Sequence, residues 1–212
     1  MTRLVLASAS PARFSTLRNA GVEPAVVVSG VDEDAVVAAA TAERGPLGPA
    51  DVALVLACAK AEAVAEAGGA TTAGDALILG CDSTLELDGE VHGKPADAAE
   101  ATKRWHAMRG RSGVLHTGHW LIDRRASQPN RAVGSTSSTV VHFADLSDDE
   151  IDAYVATGEP LHVAGAFTID GLGGPFVTGI EGDHHTVVGL SLPLLRDLMA
   201  ALGISWPDLW AP

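Results

Sequence analysis

Five charged residues in this 212-residue chain, Arg13, Glu33, Lys60, Asp82 and Lys94, could do chemistry. The segment Leu6-Ala7-Ser8-Ala9-Ser10-Pro11-Ala12-Arg13 leads from an apolar run into the start of a helix. The free N–H groups of a helix start attract anions. Ser8 and Ser10 add hydroxyl donors, and Arg13 adds a planar cation matched to phosphate. An ordinary helix cap beside a solvated arginine meets the same pattern. Asp32-Glu33-Asp34 follows the apolar residues 26–28. Such carboxylates suit a divalent metal, which takes hard oxygen ligands. A helix cap flanked by solvated acids is the plainer alternative.

Lys60 lies four residues after Leu56 and four before Val64, on the apolar stripe of a helix. It either snorkels to water or reaches a polyanion held above the core. Gly80-Cys81-Asp82-Ser83 ends an apolar run in a carboxylate. A buried aspartate is costly unless it is paired or ligates a metal, and strand ends of α/β folds collect sites. Gly93-Lys94-Pro95 presents a further lysine from a rigid loop, where it serves a site or is simply solvated. Residues 164–174 are rich in glycine, which implies tight turns or close approach to a ligand. They carry neither the GxxxxGK[ST] phosphate loop nor the GxGxxG order. The eight histidines show no HExxH spacing, and the adjacent pair His184-His185 is poorly placed to share one metal. No GxSxG elbow supports a serine hydrolase.

The elements that must carry these residues alternate. Leu4-Val5-Leu6 and residues 25–28 read as strands. Ser10-Pro11 opens a helix that runs to Gly21. A second helix spans residues 34–44 and a third spans 51–67, with Val52, Leu56, Ala59, Ala63 and Val64 as its inner stripe. Gly68-Gly69 closes it. Residues 76–81 suit a buried strand, and residues 83–91 a hairpin with a type I′ turn at Asp88-Gly89. Asp97 with Glu100, and Ser147 with Glu150, resemble capping boxes. Residues 114–122 and 135–143 read as antiparallel strands joined by the polar loop 124–131, and residues 176–180 as another strand. A leucine-rich helix from Leu194 to Leu202 stops at Gly203. Hairpins mixed with helices predict an α/β fold with a mixed sheet.

Composition narrows the function. Lys and Arg number 14 against 27 Asp and Glu, a net charge of −13. That balance argues against a nucleic-acid or anionic-membrane binder, but not against a small phosphorylated substrate neutralised locally by a metal and a few cations. Hydrophobic residues make up 47% and charged residues 19%, as in a globular domain able to bury a core. Cys58 and Cys81 form no disulfide framework and read as two buried apolar side chains, in keeping with a reducing, cytoplasmic compartment. No stretch is long enough to span a bilayer, and the apolar run before Ala7-Ser8-Ala9 is too short for a signal peptide.

Together these pieces resemble the Maf family of nucleoside triphosphate pyrophosphatases. The resemblance runs from Leu4-Val5-Leu6-Ala7-Ser8-Ala9-Ser10-Pro11 through Val31-Asp32-Glu33, Lys60-Ala61-Glu62, Gly80-Cys81-Asp82-Ser83 and Gly93-Lys94-Pro95. It continues through residues 146–151 and 154–160 and closes with Ala164-Gly165-Ala166 and Val188-Gly189-Leu190. It implies an elongated mixed sheet flanked by helices, similar to the inosine-triphosphatase-like fold. It also implies a single domain over residues 1–212, its two lobes enclosing a central cleft. The implied reaction is hydrolysis between the α- and β-phosphates of a nucleoside triphosphate, to monophosphate and pyrophosphate, in sanitation of modified or non-standard nucleotides. Ser8, Ser10, Arg13, Lys60 and Lys94 would bind phosphates. Glu33 and Asp82 would bind Mg²⁺ or Mn²⁺, and Asp82 is either the proton acceptor that activates water or a metal ligand. A homodimer is common in such families. The chain departs from the family pattern in Ala12, usually an arginine, and in His184-His185. It departs again in Asp170, where members acting on pyrimidines commonly have Gln and another branch has Glu. Asp170 is therefore the candidate for base specificity. Two other functions fit the same composition: a phosphatase releasing inorganic phosphate, and a non-catalytic regulator of cell division that binds a partner.

Overall fold

A computed structural model describes residues 2–67, 75–125 and 131–210. The expected helix end at Gly68-Gly69 and the middle of the loop 124–131 lie outside the described residues. Seven strands form one mixed sheet: β1 (Arg3–Leu6), β2 (Ala25–Val26), β3 (Ala76–Leu87), β4 (Glu90–His92), β5 (Ser112–Asp123), β6 (Arg131–Phe143) and β7 (Val177–Glu181). Their order is β2-β1-β3-β5-β6-β7, with β4 paired to β3. β1 runs parallel to β2 and to β3, and the remaining pairs are antiparallel. Helices α1 (Pro11–Asn19), α2 (Glu33–Arg44), α3 (Pro49–Ala67), α4 (Ala98–Met108), α5 (Asp148–Ala156), α6 (His184–Val188) and α7 (Leu192–Ala201) accompany it. Among the described residues no helix is long and apolar enough to cross a membrane.

The helix starts follow local chemistry. Ser10 accepts the Arg13 N–H at 3.4 Å, with Pro11 in the first turn. Asp32 accepts the Ala35 N–H at 3.0 Å, so α2 begins one residue earlier than expected. Ser147 and Glu150 complete a reciprocal capping box. Asp97 caps α4, but Glu100 accepts the N–H of Ala96 and not that of Asp97, while its other oxygen accepts from Arg104 at 2.5 Å.

Several expectations are corrected. Residues 76–87 form one strand, not a buried strand followed by a hairpin arm, because β5 pairs with it from Leu77 to Glu86 without a break at Asp82. Its turn does have positive φ at both Asp88 and Gly89, as a type I′ turn requires. β2 stops at Val26, although the Val27 N–H still donates to the Leu6 carbonyl. The five-residue helix α6 and the 3-10 turns at Glu159–His162, Ala164–Ala166 and Gly174–Phe176 were not expected; each is too short for apolar periodicity to show. Cys81 is buried but Cys58 is only partly so, and both are free.

The inner stripe of α3 is also displaced from the expected one. Ala59 and Ala63 are only partly buried, whereas Ala53, Ala57 and Ala61 are fully buried. These three alanines, spaced four apart, lie against glycines of the sheet. A Cβ on Gly80 would fall 2.0 Å from the Ala57 carbonyl oxygen, and one on Gly118 would fall 2.3 Å from that of Ala53. The helix therefore rests almost directly on the backbone of β3 and β5.

The opposite sheet face carries two apolar clusters along the long strands. One joins Leu77, Leu79 and Leu121 to Leu17, Leu195 and Met199. The other joins Leu85, Leu115 and Phe143 to Trp105, Ile151 and Tyr154. Trp105 makes edge contacts with Phe143, Tyr154 and Phe176, and its indole N–H donates to the Ala166 carbonyl at 2.8 Å. Between the clusters the same face is polar, with Ser83, Thr117 and His119.

The α3 contact gives a direct test. Gly80→Ala is expected to destabilise the protein by about 3 kcal/mol or more, because the new methyl meets backbone and not a movable side chain. Gly93→Ala, with open space at its Cβ position, should change stability by under about 0.5 kcal/mol. Urea unfolding of both variants measures the difference.

Candidate active site

Asp82 lies in mid-β3, 8% exposed, on the face covered by α3. The Lys60 ammonium of α3 is 2.5 Å from its Oδ1 and 2.7 Å from Oε1 of Glu33, in the first turn of α2. Three elements thus converge on one cation. Lys60 does not snorkel into bulk water: its side chain is 12% exposed. Burial pushes the Asp82 carboxyl above the ordinary carboxylate range, although Lys60 and Arg13 both pull it down.

Arg13 is buried, and its donors are largely committed to the protein. Nη1 donates to Ser8 Oγ at 3.1 Å and to the Cys81 carbonyl at 2.8 Å. Nη2 donates to Ser83 Oγ at 3.0 Å, and Nε to the Gly189 carbonyl at 2.7 Å. Four of its five N–H groups are engaged in these bonds. Arg13 therefore ties together the β1–α1 loop, β3 and the turn before α7. Thr117 Oγ1 donates to the Thr186 carbonyl, so Ser83 donates to Thr117 and extends the chain. Ser8 Oγ also accepts the Ser10 N–H at 3.2 Å.

All eight residues expected to form the site line one cavity of about 1250 Å³. Lys94 enters it from its exposed loop. Val37, Ala38 and Leu56 give an apolar wall, and Phe167, Thr168 and Asp170 form another part of the lining. His184 and His185 lie in α6 and are not part of the lining; His185 Nδ1 is 3.1 Å from Asp183 Oδ1. Ser83 and the carbonyls of Cys81 and Gly189 were missed by sequence reasoning. A carbonyl has no side-chain signal, and Ser83 was legible only as the neighbour of Asp82.

Among the described residues no three His, Cys, Asp or Glu side chains group closely enough to hold a metal unaided. Asp82 Oδ1 and Glu33 Oε1 both meet the Lys60 ammonium, which leaves Asp82 Oδ2 and Glu33 Oε2 to ligate an ion beside it. Two carboxylates with the remaining ligands from phosphates and water are a usual donor set for Mg²⁺. The residues present fit such an ion.

The family model for Maf-like proteins matches residues 3–202. The chain belongs to the Maf family. A Leifsonia xyli subsp. xyli protein named nucleoside triphosphate pyrophosphatase is 58% identical to this Maf chain over 208 residues, covering 98% of it and 96% of its own length. One of the same name from Streptomyces coelicolor is 58% identical over 210 residues, covering 99% and 95%. Among solved structures, a HAM1 protein from Coxiella burnetii covers 69% of this chain and 75% of its own at 16% identity, with a TM-score of 0.41.

The turn that carries the Gly189 carbonyl is fixed from below by a neutral histidine. His119 is fully buried. Its Nε2 accepts the Ser191 N–H at 2.8 Å, so Nδ1 carries the proton and donates to the Thr117 carbonyl at 3.0 Å. Burial pushes its pKa down to about 4, against an opposing pull from that carbonyl. Between about pH 6.5 and pH 4 the unfolded chain binds a proton that the folded chain does not. The contribution of His119 is thus complete above pH 6.5 and falls with pH. About 3 kcal/mol is lost by pH 4. Urea unfolding across this range should show the loss in the wild type, and His119→Gln should remove that part of the pH dependence.

Proposed function

We propose that the cavity around Asp82 hydrolyses the α–β phosphoanhydride of nucleoside triphosphates to monophosphate and pyrophosphate. The chain is a hydrolase acting on acid anhydrides, in line with the activity named for its relatives at 58% identity. The single observation that carries the site assignment is the convergence of Lys60, Asp82 and Glu33 in that cavity.

The roles follow from position. Lys60 and Lys94 bind phosphate oxygens, with Ser8 and Ser10 as neutral donors. Arg13 acts mainly as a brace for Ser8 and β3, since its committed N–H groups leave little capacity for phosphate. Glu33 and Asp82 hold Mg²⁺ or Mn²⁺. When bound, that ion neutralises triphosphate charge and polarises the phosphoryl group. Asp82, as a ligand there, orients the attacking water, whose proton passes to solvent. The water oxygen bonds to phosphorus, the bridging P–O bond breaks, and pyrophosphate leaves. Asp170, exposed at the cavity edge, is placed to meet the base. Two lobes meeting at this cleft complete the reading, favoured by the paired apolar clusters. A cytoplasmic location fits the two free cysteines, and a homodimer rests on the family resemblance alone.

Incubation with Mg²⁺ or Mn²⁺ and a panel of standard and modified nucleoside triphosphates, followed by anion exchange, tests the reaction. Monophosphate and pyrophosphate are expected. Diphosphate and phosphate would make the chain a phosphatase, and no turnover would favour partner binding. Asp82→Asn should lower kcat by about 100-fold or more.

A further inference from the structure

The wall formed by residues 162–170 brings His162, Phe167, Thr168 and Asp170 to the cavity but no lysine or arginine. An aromatic ring, a hydroxyl and a carboxylate suit a nucleoside better than a triphosphate. What fixes this wall lies outside the cavity. Glu159 opens the 3-10 turn Glu159–His162. Its Oε1 accepts from Tyr154 Oη at 2.9 Å, Thr168 Oγ1 at 2.6 Å and the Gly173 N–H at 3.1 Å. Its Oε2 accepts the Leu172 N–H at 3.0 Å. Tyr154 Oη in turn accepts the Thr168 N–H at 3.3 Å. The loop closes tightly on this carboxylate. A Cβ on Gly171 would fall 2.6 Å from Glu159 Oε2, and one on Gly173 would fall 2.4 Å from Tyr154 Oη.

We infer that Glu159 is a positioning residue for base selection. Its carboxylate gathers four donors from one helix and one loop, and so fixes where Thr168 and Asp170 stand in the cavity. This inference rests on the nucleotide reading above. Every partner of Glu159 in this cluster is a donor, so only an acceptor on both oxygens fits. An amide would turn an N–H toward other N–H or O–H groups and release one side of the loop. Among the described residues, the phosphate end on β1, α1, α3 and β3 shares no hydrogen bond with this cluster, and the Lys94 loop meets only the preceding turn, where the Gly93 carbonyl accepts the Gly165 N–H at 3.1 Å.

The test is calorimetric binding of non-hydrolysable α,β-methylene nucleoside triphosphates carrying the four standard bases, alongside inorganic tripolyphosphate, all with Mn²⁺. In Glu159→Gln the affinity for the preferred nucleotide should fall at least tenfold, and the spread among bases should shrink by a similar factor. Tripolyphosphate affinity should stay within about twofold of the wild type. Tyr154→Phe, which keeps the ring packing, should shift base preference in the same direction by a smaller factor. Unchanged base preference would overturn the inference. So would a loss of tripolyphosphate affinity in step with the nucleotides, which would mark Glu159 as a general structural residue. A wild-type protein that binds tripolyphosphate but shows no base preference would refute this inference and leave the reaction standing. One that binds neither would refute the functional reading itself.

Discussion

The close approach of α3 to the sheet sets the geometry of the site. A helix normally stands off a sheet by the height of its side chains. Here alanine faces glycine at two successive turns, and the remaining gap has no room for a methyl group. Fixing the helix at Ala53 and Ala57 also fixes Lys60, one turn further along. Its ammonium then meets the Asp82 carboxylate two residues beyond Gly80 on β3. A helix raised by one methyl group would carry Lys60 away from Asp82 and leave a buried charge unpaired, which is among the more costly defects a core can hold.

The second constraint is the charge that this arrangement buries. Asp82 is desolvated, and its partners come from separate parts of the chain: Lys60 from α3, and Arg13 at longer range from α1. Arg13 meets the need by bonding to protein acceptors on three segments, which gives a rigid, positively charged floor. Its neighbour at position 12 is alanine, so this loop supplies one arginine. With Arg13 committed to the scaffold, a polyanion is left with Lys94 on its exposed loop and the remaining N–H of Lys60, whose other two meet Glu33 and Asp82. The net charge of −13 then matters little, because the local cations and the carboxylates are arranged within one cavity.

Much of the fold was legible from periodicity and end signals. Ser10-Pro11, Asp32 and Ser147 with Glu150 mark helix starts through bonds made within a few residues. Asp88-Gly89 marks its turn in the same way. The α3 stripe expected from the spacing of Val52, Leu56 and Val64 takes in Ala59 and Ala63, because helical spacing alone does not say which alanines meet the sheet. Ala53 and Ala57 are buried for being small, a property that matters only opposite Gly80 and Gly118, more than twenty residues away. The charged site residues were legible as residue types, and their order pointed to the family. Their partnerships were not legible: nothing in the spacing of Lys60 and Asp82 states that they meet, and nothing near Arg13 announces the Gly189 carbonyl 176 residues later. Glu159 was hidden for a related reason, since its role lies in the donors around it and not in its own neighbourhood in the chain.

The chemistry of the cavity depends on the point where Glu33, Lys60 and Asp82 meet. Anomalous diffraction from Mn²⁺ in crystals of the protein with a non-hydrolysable nucleoside triphosphate tests that claim most directly. The predicted result is a manganese peak ligated by Asp82, with the triphosphate in contact with Lys60. A peak elsewhere, with Lys60 still bridging the two carboxylates and the nucleotide bound apart from them, would contradict it.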